Sequence, residues 1–145
     1  MKKNKNSKNW IKKRDKEIFF KKAKIYGYRS RSAFKLIEMN NKFKFIKKDS
    51  CLLDLGSSPG GWSQVAAKII KNGKILSTDI KSMEKIEKVN FILADVKDED
   101  FYTKIENFFK KKIDIVISDM AANTTGNKDL DSYRTGELCL NALDL

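Results

Sequence analysis

Residues 51–62 read Cys51-Leu52-Leu53-Asp54-Leu55-Gly56-Ser57-Ser58-Pro59-Gly60-Gly61-Trp62. A short apolar run ending in a glycine-rich turn reads as a buried parallel strand. Trp62 to Ile70 then fits a helix, with Gly73 as its stop signal. In a strand–turn–helix unit of this kind, glycines let backbone approach a ligand, and the helix N-terminus offers free N–H groups. The turn follows Asp-x-Gly-x-Ser-x-Gly rather than Gly-x-Gly-x-x-Gly, so the dinucleotide fingerprint is not met. A glycine turn alone is equally an ordinary strand–helix connection.

Downstream the alternation continues. Strands are expected over 74–79, 90–95 and 113–119, and a helix over 100–111. Residues 120–130 read as a loop and 131–145 as a further helix. Strands alternating with helices imply an α/β fold with a doubly wound parallel sheet. Asp54 lies within the first strand's run, and Asp79, Asp95 and Asp119 close the next three. Asp79, Asp95 and Asp119 should gather at the carboxyl edge of the sheet, where open α/β folds bind ligands, and Asp54 and Asp119 add negative charge where a cation would bind. Asp79 follows Gly56 by 23 residues, the range of an acid that grips ribose hydroxyls. Aspartate is also a common turn residue, but four acids at four strand ends favour a site. An acidic rim suits a cationic nucleoside, such as S-adenosylmethionine, better than a pyrophosphate. Asp95 is placed to accept from an adenine amino group.

Upstream the chemistry changes. Residues 1–48 hold 18 Lys/Arg against three Asp/Glu, whereas residues 49–145 hold 13 against 16. A basic arm before a nearly neutral domain points to a polyanionic partner, because compositional drift would spread lysine evenly. Residues 1–14 lack apolar periodicity and are expected to be disordered without a partner. A helix is expected from Asp15 to Tyr26, with Ile18, Phe19, Ala23 and Tyr26 on one side and Gly27 after it. A second is expected from Ser32 to Asn41, with Ala33, Phe34, Ile37 and Asn41 on one side. The 145 residues contain no histidine, which removes the commonest general base and metal ligand. Cys51 and Cys139 make neither a disulfide framework nor a zinc site, and read as core residues of a cytoplasmic protein. No apolar run approaches a membrane span and no secretory leader is recognisable. A monomer that binds no metal is expected.

Three segments together resemble the FtsJ family of methyltransferases in order and spacing. They are Tyr28-Arg29-Ser30-Arg31-Ser32-Ala33-Phe34-Lys35-Leu36, Asp54 to Gln64, and Ser118-Asp119-Met120-Ala121-Ala122-Asn123. The likeness spans about residues 10–145. It implies a Rossmann-like class I S-adenosylmethionine-dependent methyltransferase: a basic, RNA-binding arm over 1–48 and a partial cofactor-binding domain over 49–145. The implied activity is methylation of the 2′-hydroxyl of a uridine ribose in large-subunit ribosomal RNA. The family's Lys-Asp-Lys-Glu tetrad places its first lysine on Lys35 and its aspartate on Asp119. Cofactor contacts carry over to Gly60, Trp62, Asp79, Asp95 and Asp119, and RNA contacts are expected at Arg29, Arg31 and Lys35. Many members have proline where this chain has Ala122. The tetrad's second lysine and glutamate belong to strands beyond Leu145, so the chain reads as C-terminally truncated. The alternative is a non-catalytic remnant that retains only cofactor or RNA binding. A dehydrogenase is disfavoured by the turn. A protein or small-molecule methyltransferase is disfavoured by the arm and by the lack of an Asn/Asp-Pro-Pro-Tyr motif.

Overall fold

The computed structural model describes residues 5–120 and 125–143. In chain order these form α1 (Lys5–Ile25), α2 (Ala33–Phe43), β1 (Cys51–Leu55), α3 (Gly61–Ile69), β2 (Lys74–Asp79), β3 (Asn90–Leu93), α4 (Phe101–Phe109), β4 (Ile115–Ser118) and α5 (Lys128–Leu143). The four strands make one parallel sheet in the order β3-β2-β1-β4. Strand order reverses beside β1: the chain moves outward through β2 and β3, then α4 returns it to the far side as β4. That reversal opens a crevice at the carboxyl ends of β1 and β4, where open α/β folds place ligands.

β1 is buried along its whole length, because successive side chains point to opposite faces and both faces are covered. Leu52 joins Ile75 and Ile117 beneath Trp62, Val65 and Ala66 of α3 and Ala33 and Leu36 of α2. Cys51, Leu53 and Leu55 join Leu76 on the other face, beneath Phe101, Ile105 and Phe109 of α4. The doubly wound α/β expectation therefore holds. β1, β2 and α3 fall where the sequence placed them to within a residue. β3 is two residues shorter than expected. It pairs only from Leu76↔Asn90 to Asp79↔Leu93, and β2 ends at Asp79. Asp95 accordingly lies in the loop beyond the strand.

The arm departs most from expectation. Residues 5–14 continue α1 as helix instead of being disordered, and residues 1–4 lie outside the described residues. Lysine is a good helix former without any apolar stripe, so a charged helix gives no periodic signal. The expected apolar face of α1 is buried only at Ala23, while Ile18, Phe19 and Tyr26 stay more than two-fifths exposed. The rings of Phe19, Tyr26 and Tyr28 all pack around Phe34 of α2. In α2 the buried residues are Ala33 and Leu36, and Leu36 was not on the expected face. Cys51 is in the core as expected, but Cys139 is exposed on α5. α5 starts three residues earlier than expected, because Asn127 Oδ1 accepts from the Asp129 and Leu130 amides and caps it. No helix among the described residues is long and apolar enough to cross a membrane.

Candidate active site

The β1–α3 turn bends sharply at two positions. Gly56 (φ +70°) lies so close to Met120 that a Cβ would collide with its side chain. Gly60 (φ +110°) lies under Ile86, Met83 and Arg29, whose nearest atoms would stand 2.7–3.1 Å from a Cβ. Only glycine meets both demands at these positions.

Beside this turn a cleft of about 390 Å³ opens at the carboxyl edge of the sheet. Asp79, Asp95 and Asp119 line it, together with Gly56, Ser58, Lys81 and Lys97. Asp79 is held in place by backbone donors: Ser58 N–H at 2.9 Å and Lys81 N–H at 2.8 Å. Asp95 accepts from the Lys97 amide at 3.0 Å. A smaller cavity of about 70 Å³ shares Gly56, Ser58 and Asp119 with the cleft and reaches Asp54 and Trp62. Three of the five expected cofactor residues therefore line the main cleft and Trp62 borders its extension. Gly60 lines neither cavity. The Trp62 side chain also has another task, since its indole Nε1–H donates to the Ser32 carbonyl at 2.8 Å and ties the arm to the domain.

Asp54 follows from the strand register. It lies on the same face of β1 as Leu52 and is paired with Ser77 of β2, so it points at α3. There Ser63 Oγ donates to Asp54 Oδ2 at 2.6 Å and lies 2.8 Å from Ser77 Oγ. Burial pushes the Asp54 carboxyl up to about 7; the Ser63 hydrogen bond opposes this, and the nearby charges of Asp79 and Asp119 add to it. The cleft thus collects carboxyl groups that repel one another, and a cation at its rim would relieve that repulsion. Ser63 and Ser77 were not expected at the site. For Ser77 the only signal is the period-2 alternation of β2, which needs the β1–β2 pairing to be known, and Ser63, on α3, shows its place only once that helix is packed over β1.

Lys35 of α2 and Asp119, just past β4, come together although 84 residues separate them. Lys35 Nζ donates to Asp119 Oδ1 at 3.0 Å, with both side chains partly exposed. Asp119 lines the cleft on one side and, on the other, an open groove of about 720 Å³ between the arm helices. Arg31 is exposed on that groove with Lys16 and Lys35. Arg29 turns inward instead. Its guanidinium donates to the carbonyls of Pro59 (3.3 Å), Glu84 (2.7 Å) and Lys85 (3.0 Å). Of the two arginines expected at RNA, Arg29 is thus engaged with backbone carbonyls, whereas Arg31 is open on the groove.

A doubly wound sheet with an acidic cleft at its switch point, and a lysine–aspartate pair at the mouth of that cleft, define a Rossmann-like methyltransferase domain. Comparison with known proteins agrees. The model of the FtsJ-like methyltransferase family matches residues 28–145, and the chain belongs to that family. It is 48% identical over 144 residues to the ribosomal RNA large subunit methyltransferase E of Pelagibacter ubique, covering 99% of this chain and 71% of that protein. The protein of the same name from Acinetobacter baylyi is 40% identical over 142 residues, covering 97% of this chain and 66% of that protein. The chain thus spans about two thirds of the length of these relatives. A crystal structure from Plasmodium falciparum, described as a ribosomal RNA methyltransferase, superposes with a TM-score of 0.73 at 40% identity. It covers 79% of this chain and 68% of that one.

Proposed function

We propose that this chain binds S-adenosylmethionine in the acidic cleft and serves methylation of a uridine ribose 2′-hydroxyl in large-subunit ribosomal RNA. The observation that carries the reading is the Lys35–Asp119 contact of 3.0 Å at the boundary between cleft and arm groove. A donor in the cleft and an acceptor nucleotide against the arm would meet there. The names of the relatives support ribosomal RNA as the acceptor class.

The cleft fits the cofactor chemically. Asp79 would accept from ribose hydroxyls and Asp95 from an adenine amino group, and Asp119, with Asp54 in the adjoining small cavity, would meet an ammonium and a sulfonium. S-adenosylmethionine would supply a methyl group on a positively charged sulfur. A ribose 2′-hydroxyl would displace that sulfur at the methyl carbon, releasing a neutral thioether and, to the surrounding water, the hydroxyl proton. Lys35 would stabilise negative charge on the 2′-oxygen, and Asp119 would orient Lys35 and steer the methyl group. Holding oxygen and methyl in line contributes by proximity. Arg31 and the arm lysines would hold phosphates. We assign this work to a monomer in the cytoplasm, with residues 1–48 as the RNA arm and 49–145 as the cofactor domain.

The test is transfer of a labelled methyl group from S-adenosylmethionine to isolated large ribosomal subunits. The expected result is label on a uridine 2′-oxygen, with Lys35→Ala losing transfer by about 10²–10³-fold while cofactor affinity is kept. Normal turnover by Lys35→Ala would overturn the role of Lys35. Cofactor and RNA binding without any transfer would instead favour the binding-only remnant.

A further inference from the structure

We propose that Arg29 is a positioning residue that locks the basic arm onto the cofactor turn, so that arm and cofactor are bound cooperatively. The inference rests on the proposed cofactor and RNA roles of the two halves.

Arg29 lies at the joint between α1 and α2, yet its contacts belong to the domain. One nitrogen of its fork reaches the Pro59 carbonyl in the β1–α3 turn and the Glu84 carbonyl in the β2–β3 loop. The other reaches the Lys85 carbonyl. All three acceptors are backbone, so the guanidinium fixes chain positions rather than side chains. The carboxylate of Glu84 adds little: it stands 3.8 Å away and its side chain is 92% exposed. Two further bonds on the same joint close the arm onto α3. The Arg29 amide donates to Gln64 Oε1 at 2.8 Å, and Gln64 Nε2 donates to the Gly27 carbonyl at 3.1 Å.

What the fork holds matters for the cleft. Met83 and Ile86, on either side of Glu84 and Lys85, cover Gly60. Lys81, at the start of the same loop, donates its amide to Asp79, and Ser58 on the turn does the same. The β2–β3 loop and the glycine turn thus orient Asp79 from two sides, and Arg29 ties both to the arm. Lysine could not reproduce this, because a single ammonium lacks the planar fork. A ligand that orders one side of the clamp lowers the cost of ordering the other, and such coupling is reciprocal.

The test compares wild type, Arg29→Ala, Arg29→Lys and Arg31→Ala in the full chain. Amide hydrogen exchange is read without ligand, and S-adenosylmethionine affinity is read by calorimetry. Binding to isolated large ribosomal subunits is read with and without cofactor. Arg29→Ala should speed exchange in residues 57–61 and 80–89, weaken cofactor about tenfold or more, and abolish the cofactor's tightening of subunit binding. Arg29→Lys should show the same pattern at smaller amplitude, and it serves where the alanine variant does not fold. Arg31→Ala should weaken subunit binding with exchange at the turn and loop unchanged. Unchanged exchange at 57–61 and 80–89 in both Arg29 variants would overturn the clamp, as would a loss confined to subunit binding. A wild-type chain that takes no cofactor would sink the proposed function instead, and the exchange pattern would still decide whether the clamp exists.

Discussion

Asp54 is 1% exposed, and its carboxyl is raised to about 7 chiefly by that burial. A folded-state value above the unfolded 3.8 means the native chain holds a proton that the unfolded chain has released. The contribution of Asp54 to stability is therefore fully present below pH 3.8 and declines as pH rises to about 7, where it levels off. The loss is on the order of 4 kcal/mol at most. Asp54→Asn keeps a partner for Ser63 but cannot ionise, so chemical denaturation between pH 5 and 8 should show a flatter stability profile than wild type. A parallel fall in both proteins would sink the assignment. Ligand binding should run in the opposite sense. A cation in the cleft favours ionised Asp54, so S-adenosylmethionine affinity should rise by up to about tenfold per pH unit below 7 and level off above it. Asp54→Asn should lose that dependence in calorimetric titrations.

The turn between α3 and β2 shows how tightly elements are set. A Cβ on Gly73 would run into the Ser50 carbonyl and stand 2.9 Å from the Asp49 carbonyl carbon, both backbone atoms that cannot swing aside. Gly73→Ala should therefore cost about 1–3 kcal/mol or more, as overpacking does, and lower the thermal midpoint. Gly136, inside α5, meets nothing within 4 Å, so Gly136→Ala should be neutral or stabilise by up to about 1 kcal/mol. Equal effects from the two substitutions would show that the contact at Gly73 is not what matters. This scale also shows what the sequence makes legible. β1 and β2 could be read because their apolar runs are covered on both faces. Asp79, Asp95 and Asp119 could be read together because strand ends converge at one edge in any parallel sheet, whereas Asp54 lies inside β1 and faces α3. The helix over residues 5–14 could not, since its lysines carry no periodicity. Arg29 could not be told from Arg31 either. Charge marks an arm as basic, but only the fold reveals which arginine turns inward onto carbonyls and which stays on the groove.

At the scale of the molecule, the positive charge of the arm sits apart from the cleft. Among the described residues, the Lys/Arg of the first 48 positions stand on α1, α2 and their flanks, whereas three aspartates against Lys81 and Lys97 line the cleft at the sheet edge. Under the proposed function, the cationic arm would meet RNA and the cleft would meet a cationic cofactor. The two are joined through Trp62, Gln64 and Arg29. Because phosphate contacts release counterions, subunit binding should fall steeply with salt. If about six arm cations touch phosphates, affinity should drop about a thousandfold between 50 and 200 mM salt. Each exposed arm lysine removed, beginning with Lys16, Lys21 and Lys22, should lower the slope of log affinity against log salt by up to about 0.9. Removing Lys71 or Lys112, exposed on the domain, should leave that slope unchanged. Cofactor affinity should respond much less to salt, since its charges are met inside a cleft, where screening is weaker than at the surface. The measurement is subunit binding across a salt series for these single variants. A flat salt series would remove the arm from RNA recognition. Equal slope changes from arm and domain lysines would mean that net charge acts on RNA without any docked surface.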